Sequence, residues 1–159
     1  MFALTTTRLN RLLTELIGGL LILLFTYAAI TKVAAFNTTL HELQNQVLPR
    51  GTAPYLAVGI PLLEVFIVAG LLTRRFKATA LYASLGLMTV FTVYIGLALL
   101  QVYNRMPCSC GGVLKNMSWH AHFVFNLFYV VITLVAIAAE RKLRQTAELP
   151  VEEIQFANR

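Results

Sequence analysis

Two stretches of this chain carry no charged residue at all, Ala78 to Asn104 and Asn116 to Ala139. A helix needs about 20 apolar residues to cross the hydrocarbon core of a bilayer, and both runs exceed that. Two other runs are nearly as clean. Leu16 to Thr31 is apolar with Glu15 and Lys32 at its ends, and Tyr55 to Leu72 is apolar apart from Glu64. The pattern predicts four helices at about 12–36, 55–73, 78–102 and 118–140, each long enough to span a membrane. The expected fold is all-α, a polytopic bundle of four transmembrane helices in a membrane domain covering residues 1–140, followed by a polar tail over 141–159 with weak structure.

Composition narrows the classes further. Hydrophobic residues make up 58% of the chain and charged residues 13%, where a soluble domain carries about 25% charged. That excludes a disordered tail, a collagen-like fibre and an ordinary soluble enzyme. Cys108 and Cys110 are the only cysteines among 159 residues, too few for a disulfide-rich scaffold. A net charge of +6 raises nucleic acid as a partner. A mean hydropathy of +0.71 answers for the lipid bilayer instead, with basic residues sorted to the membrane flanks. Arg8, Arg11, the first apolar run and Val33-Ala34-Ala35 also resemble a signal peptide; the expectation is a retained membrane helix.

Lys and Arg are unequally divided between the two sides. Arg8, Arg11, Arg74, Arg75, Lys77, Arg141, Lys142, Arg144 and Arg159 fall on one side, nine of the 13. Lys32, Arg50, Arg105 and Lys115 fall on the other. The positive-inside rule then puts both termini, and the 141–159 tail, in the cytoplasm. Segments 37–54 and 103–117 face outward, toward the periplasm if the membrane is a bacterial inner membrane. That compartment is oxidising. The 74–77 turn is tight, so the second and third spans are antiparallel neighbours. In the first outer segment Phe36, Leu40, Leu43 and Val47 recur at helical spacing with polar residues between them. This predicts a short amphipathic helix on the outer interface, ended by Pro49 and Gly51.

The most informative stretch is Met106-Pro107-Cys108-Ser109-Cys110-Gly111-Gly112. A Cys-x-Cys disulfide closes a small, strained ring, and strained bridges are the labile or catalytic ones. Such a ring adds little chain-entropy stability. Gly111 and Gly112 permit the backbone angles a tight ring demands and the close approach of another chain. Three readings stand side by side: thiol-disulfide exchange, a soft-metal site, and an inert pair or staple.

Trp119, His122, Asn126 and Tyr129 follow at spacings that share one helical face, after Ser118 as a candidate N-cap. A polar stripe in a membrane helix points into the bundle. His122 near the cysteines would favour the thiolate, the reactive form. Trp119 reads equally well as an interfacial anchor, and His120 reads as an interfacial polar residue without chemistry. Lys32 lies near the outer end of the first span and Glu64 midway along the second. A charge at that depth is usually paired or functional. A contact between them requires the lysine to reach inward rather than snorkel. Glu64 is read as a packing or protonated structural residue, with a proton relay as the alternative.

These residues also carry a family resemblance. The chain resembles the MauE branch of the DoxX-like superfamily of small four-helix membrane proteins, over about residues 12–140. The matching pieces are Tyr27-Ala28-Ala29-Ile30-Thr31-Lys32 with Phe36, Pro61-Leu62-Leu63-Glu64, and Phe91-Thr92-Val93-Tyr94. They continue with Cys108-Ser109-Cys110-Gly111-Gly112 and then Trp119, His122, Phe125 and Asn126. It departs from the family at Gly111, where an aromatic is usual. The resemblance implies a redox-associated membrane protein that moves thiol-disulfide equivalents in the periplasm. The branch is associated with maturing the disulfide-rich small subunit of methylamine dehydrogenase.

Three functions follow. The first is a thiol-disulfide oxidoreductase in which Cys108 and Cys110 alternate between dithiol and disulfide, exchanging with a thioredoxin-like partner or a client protein. Here His122 is catalytic, and Trp119, Asn126, Lys32, Glu64, Gly111 and Gly112 are supporting. The second is a non-catalytic subunit or assembly factor of a larger envelope complex, with Gly18, Gly19, Gly59, Gly70, Gly86 and Gly96 compatible with tight helix interfaces. The third is a Cu(I) or Zn site built from Cys108, Cys110 and His122. Neither a cofactor motif nor a nucleic-acid partner is indicated.

Overall fold

A computed structural model describes residues 2–46, 49, 51–102 and 118–157, with side chains described within 7–146. Helix α1 (Phe2–Ala34) is followed by the short α2 (Phe36–Gln44), α3 (Ala53–Leu72), α4 (Lys77–Leu99) and α5 (Trp119–Ala157). No strand occurs among the described residues. Four helices contain stretches long and apolar enough to cross a membrane: Thr7–Ala34, Ala53–Leu72, Lys77–Leu99 and Trp119–Thr146. The chain is a multi-pass, all-helical membrane protein.

Local chemistry sets the breaks. Ala35 leaves helical geometry (φ −110°, ψ 40°) and turns the chain from α1 into α2. Gly51 takes φ +95°, a left-handed angle glycine adopts without a Cβ clash. The Thr52 hydroxyl donates to the Pro49 carbonyl at 2.9 Å, and Pro54 sits in the first turn of α3, where its missing N–H costs nothing. At the far end Thr73 is extended (φ −98°, ψ 116°). The turn closes when the Phe76 N–H donates to the Thr73 carbonyl at 3.0 Å, delivering α4 antiparallel to α3.

α1 packs against α3 and α5, and α4 packs against the same two helices, so the spans form a ring in the order α1, α3, α4, α5. The core joins Ile17, Leu21 and Phe25 of α1, Ile67 and Leu71 of α3, Leu81 and Met88 of α4, and Tyr129, Ala136 and Ile137 of α5. Equally apolar side chains point outward, among them Leu23, Ile30, Phe66, Val90, Val124 and Phe128. That outer surface suits lipid, whose tails solvate leucine as well as a protein core does.

Packing is tightest at two of the glycines. A Cβ on Gly70 would lie 2.9 Å from the Ala80 Cβ, and one on Gly96 would lie 3.2 Å from the Phe123 ring. Gly70 therefore sets the α3–α4 approach and Gly96 the α4–α5 approach. Gly18 has ordinary contact with Lys77, while Gly19, Gly59 and Gly86 face open space. Within the bundle, then, only Gly70 and Gly96 of these six mark a close helix approach, and three of the others leave room for a side chain.

Polar groups turn inward. Thr14, Ser84, Thr92 and Thr133 are all buried. Each hydroxyl donates to the carbonyl four residues earlier, at 2.8, 2.8, 2.7 and 2.6 Å respectively, the back-bond available to a helical Ser or Thr. α2 has no fully buried residue and packs on α3 with half-buried Thr39, Leu40 and Leu43. This is the short amphipathic helix the spacing predicts between the first two spans. Gln46, just past its end, bonds the Tyr94 hydroxyl of α4.

Two boundaries differ from the hydropathy reading. α1 begins at Phe2 rather than near residue 12. The segment after Glu140, expected to have weak structure, continues α5 to Ala157. The residues 139–145, Ala-Glu-Arg-Lys-Leu-Arg-Gln, are strong helix formers. Arg144 Nε donates to Glu140 Oε1 at 3.2 Å across one turn, a spacing that supports helix in water. The charged residues mark a change of surroundings for α5, not an end to it.

Candidate functional site

Glu64 and Lys32 meet inside the bundle. Lys32 Nζ lies 2.7 Å from Glu64 Oε1, and their side chains are 8% and 2% exposed. Helical side chains lean toward their own N-terminus. Lys32, near the C-terminal end of α1, therefore reaches back toward the middle of the membrane rather than out of it. Its ammonium also donates to the Ala28 carbonyl at 3.3 Å. Glu64 presents from α3 one turn after Pro61, itself buried inside the helix. Glu64 Oε2 is buried without a hydrogen-bond partner among the described residues. The pair couples α1 to α3 electrostatically at a depth where either charge alone is expensive.

The start of α5 supplies the second cluster. Ser118 Oγ accepts from the Ala121 N–H at 3.3 Å, so Ser118 caps the helix as its side chain predicts. His122, Asn126 and Tyr129 are 3%, 5% and 8% exposed and face the interior. Trp119 is half-buried and His120 is exposed. The histidine at position 120 thus lies on the outside of the bundle. Tyr129 packs its ring against Phe125 at 4.9 Å and edge-on against Phe128 at 5.6 Å. Asn126 Nδ2 is buried without a partner among the described residues. In a low-dielectric interior such a group carries a desolvation cost of about 1–3 kcal/mol.

Cys108, Cys110, Gly111 and Gly112 lie outside the described residues, and so does any approach of His122 to the cysteines. The chain runs from the end of α4 through them into Ser118, so they connect to the same end of the bundle as His122 and Trp119. No group of three or more His, Cys, Asp or Glu able to hold a metal occurs among the described residues.

Three polar contacts have no role in the sequence reading. Lys77 Nζ, 10% exposed, lies 2.9 Å from the exposed Glu15 Oε1 and ties the start of α4 to the middle of α1. Arg141 Nε donates to the Tyr82 hydroxyl at 2.7 Å. The third is the Tyr94–Gln46 bond. Glu15 stands just outside an apolar run with basic residues on its own side of the membrane, and that isolation is the one sign in the sequence of a cross-helix partner.

The family described as "Methylamine utilisation protein MauE" matches residues 10–139. The "Methylamine utilization protein MauE" of Paracoccus denitrificans is 26% identical over 121 residues, covering 74% of this chain. The match spans 63% of that relative, so the chain accounts for somewhat under two thirds of its length. No solved structure matches. The family match takes in all four spans and the segment between α4 and α5, and with the four-helix ring and its inward polar face it places this chain in the MauE family of membrane proteins, within the broader DoxX-like grouping.

Proposed function

We propose that this chain is an inner-membrane thiol-disulfide exchange protein whose Cys108 and Cys110 face the periplasm. The observation that carries the reading is the position of the two cysteines. Both fall in the one segment that leads directly into α5, whose first turns bury His122 and Asn126 and half-bury Trp119. Sidedness rests on the charge division: nine basic residues against four puts the Thr73–Phe76 turn and both termini in the cytoplasm.

The chemistry is a two-step exchange. A thiolate of the pair attacks a disulfide in a partner, forms a mixed disulfide and releases one partner thiolate. The second cysteine attacks the mixed disulfide and releases the other. The pair ends as a disulfide, the partner as a dithiol, and the two protons pass from the pair to the partner. The reverse direction oxidises the client. The relative's name points to methylamine utilisation as the process served, and the partner class is a thioredoxin-like protein or a disulfide-bearing client. Lys32 and Glu64 tie α1 to α3 in the bundle, and His122, buried in the first turn of the helix that follows the cysteine segment, is the candidate proton donor and acceptor.

Single Cys108→Ser and Cys110→Ser variants test this. One of them is expected to accumulate a reductant-sensitive adduct with a periplasmic protein. If neither variant captures any partner and the double variant retains full activity, the reading is wrong.

A further inference from the structure

At the end of the bundle that carries the Thr73–Phe76 turn, α4 and α5 part to leave a cleft of about 210 Å³. Its floor is apolar, with Leu81 and Ile137 at 0% and 7% exposure. Its rim is polar and positive, formed by Tyr82, Glu140, Arg141 and Arg144. The two arginines are held differently. Arg144 Nε donates to Glu140 Oε1 at 3.2 Å, which offsets its charge. Arg141 Nε donates to the neutral Tyr82 hydroxyl at 2.7 Å, with its guanidinium carbon 5.5 Å from the centre of the Tyr82 ring. No carboxylate pairs with Arg141 among the described residues. The rim therefore keeps one net positive charge, on a guanidinium fixed by a hydrogen bond and an aromatic face.

We propose that this cleft is a binding site for an anionic phospholipid, with the phosphate diester on Arg141 and Arg144 and the start of an acyl chain over Ala78 and Ile137. Both Nε atoms are engaged by protein, which leaves the Nη groups of each guanidinium as the donors for a ligand. Two parallel Nη–H donors match the two non-bridging oxygens of a phosphate diester. The apolar floor suits a ligand with a hydrocarbon tail, whereas a free anion gains only the arginine contacts. Tyr82, 43% exposed, sits at a span end where amphipathic aromatics meet headgroups. Basic pockets between membrane helices are a recurring solution for such headgroups. The site is independent of the cysteine chemistry and of which way the bundle faces.

The test uses the full chain in neutral detergent, titrated with phosphatidylglycerol, with phosphatidylcholine, and with sn-glycerol 3-phosphate as the tail-free anion. Native mass spectrometry counts bound ligand, and the melting temperature confirms that each variant is folded. Phosphatidylglycerol is expected to bind more tightly than phosphatidylcholine. Arg141→Gln and Arg144→Gln are each expected to weaken it about fivefold, the worth of one basic residue near a lipid headgroup. Arg141→Lys, which keeps charge and loses the fork, should fall between wild type and Arg141→Gln, and it serves if the glutamine variant does not fold. Arg74→Gln with Arg75→Gln, exposed at the same end but away from the cleft, should leave binding unchanged. Equal binding of the two lipids, an Arg141→Gln/Arg144→Gln variant that binds normally, or an equal loss in the Arg74/Arg75 variant each overturns the proposal. Binding of sn-glycerol 3-phosphate as tight as that of the lipid overturns it too, by assigning the cleft to free anions.

Discussion

Lys32 and Glu64 stand 32 positions apart in sequence and 2.7 Å apart in space, both buried, on helices that run in opposite directions. Taking one partner away strands the other as an uncompensated charge in an apolar interior. Lys32→Met or Glu64→Leu alone is expected to cost about 3–5 kcal/mol, while the double variant costs far less, because replacing both charges removes the desolvation penalty with the attraction. Unfolding midpoints in detergent across the four proteins of this cycle check it. Two additive single losses would show that the pair is not coupled.

The glycines divide by what faces them. Gly70→Ala drives a methyl to 2.9 Å from the Ala80 Cβ, so α3 and α4 must separate at a cost of about 1–3 kcal/mol. Gly86→Ala meets nothing within 4 Å and should be neutral or stabilising by up to about 1 kcal/mol, the helix propensity alanine adds. Thermal unfolding of the two variants side by side gives the comparison; a destabilised Gly86→Ala with an unaffected Gly70→Ala reverses the assignment.

His120 and His122 are two residues apart and point opposite ways, one exposed and one buried. In the redox reading His122→Ala slows disulfide exchange by the Cys108–Cys110 pair severalfold and His120→Ala leaves the rate unchanged. Stopped-flow exchange with a small dithiol such as dithiothreitol separates them. Equal rates in both variants remove His122 from the chemistry and leave it a packing role.

Sidedness has a direct readout. A membrane-impermeant maleimide applied to reduced, intact spheroplasts is expected to label Cys108 and Cys110 at once. Labelling that appears only after permeabilisation inverts the proposed topology.

Much of the scaffold was legible because hydrocarbon imposes a length rule. Uninterrupted runs such as Ala78 to Asn104 have few alternatives to a spanning helix. The polar face of α5 was legible from spacing alone, since His122, Asn126 and Tyr129 recur at helical intervals and all three are buried. Periodicity tells which residues share a face, but not which neighbour that face meets. The Lys77–Glu15 and Arg141–Tyr82 contacts depend on how α4 sits against α1 and α5, and nothing local in the sequence encodes that. The extension of α5 past Glu140 is hidden from the hydropathy pattern for another reason. Hydropathy ends where charge begins, whereas Glu140, Arg141, Lys142 and Arg144 favour helix once out of the bilayer. The separation of Gly70 and Gly96 from the other glycines likewise needs the packed neighbours, Ala80 and Phe123.

The hydroxyls of Thr14, Ser84, Thr92 and Thr133 each close on a carbonyl of their own helix. Bonds of that kind move with the helix that owns them and say nothing about its height relative to a neighbour. Apolar ridges of similar size can slide past one another by a turn at modest cost. The Lys32–Glu64 pair cannot, because a shift of one turn, about 5.4 Å along the axis, leaves two bare charges in oil. That one contact therefore acts as a depth gauge, fixing how far α1 rises against α3.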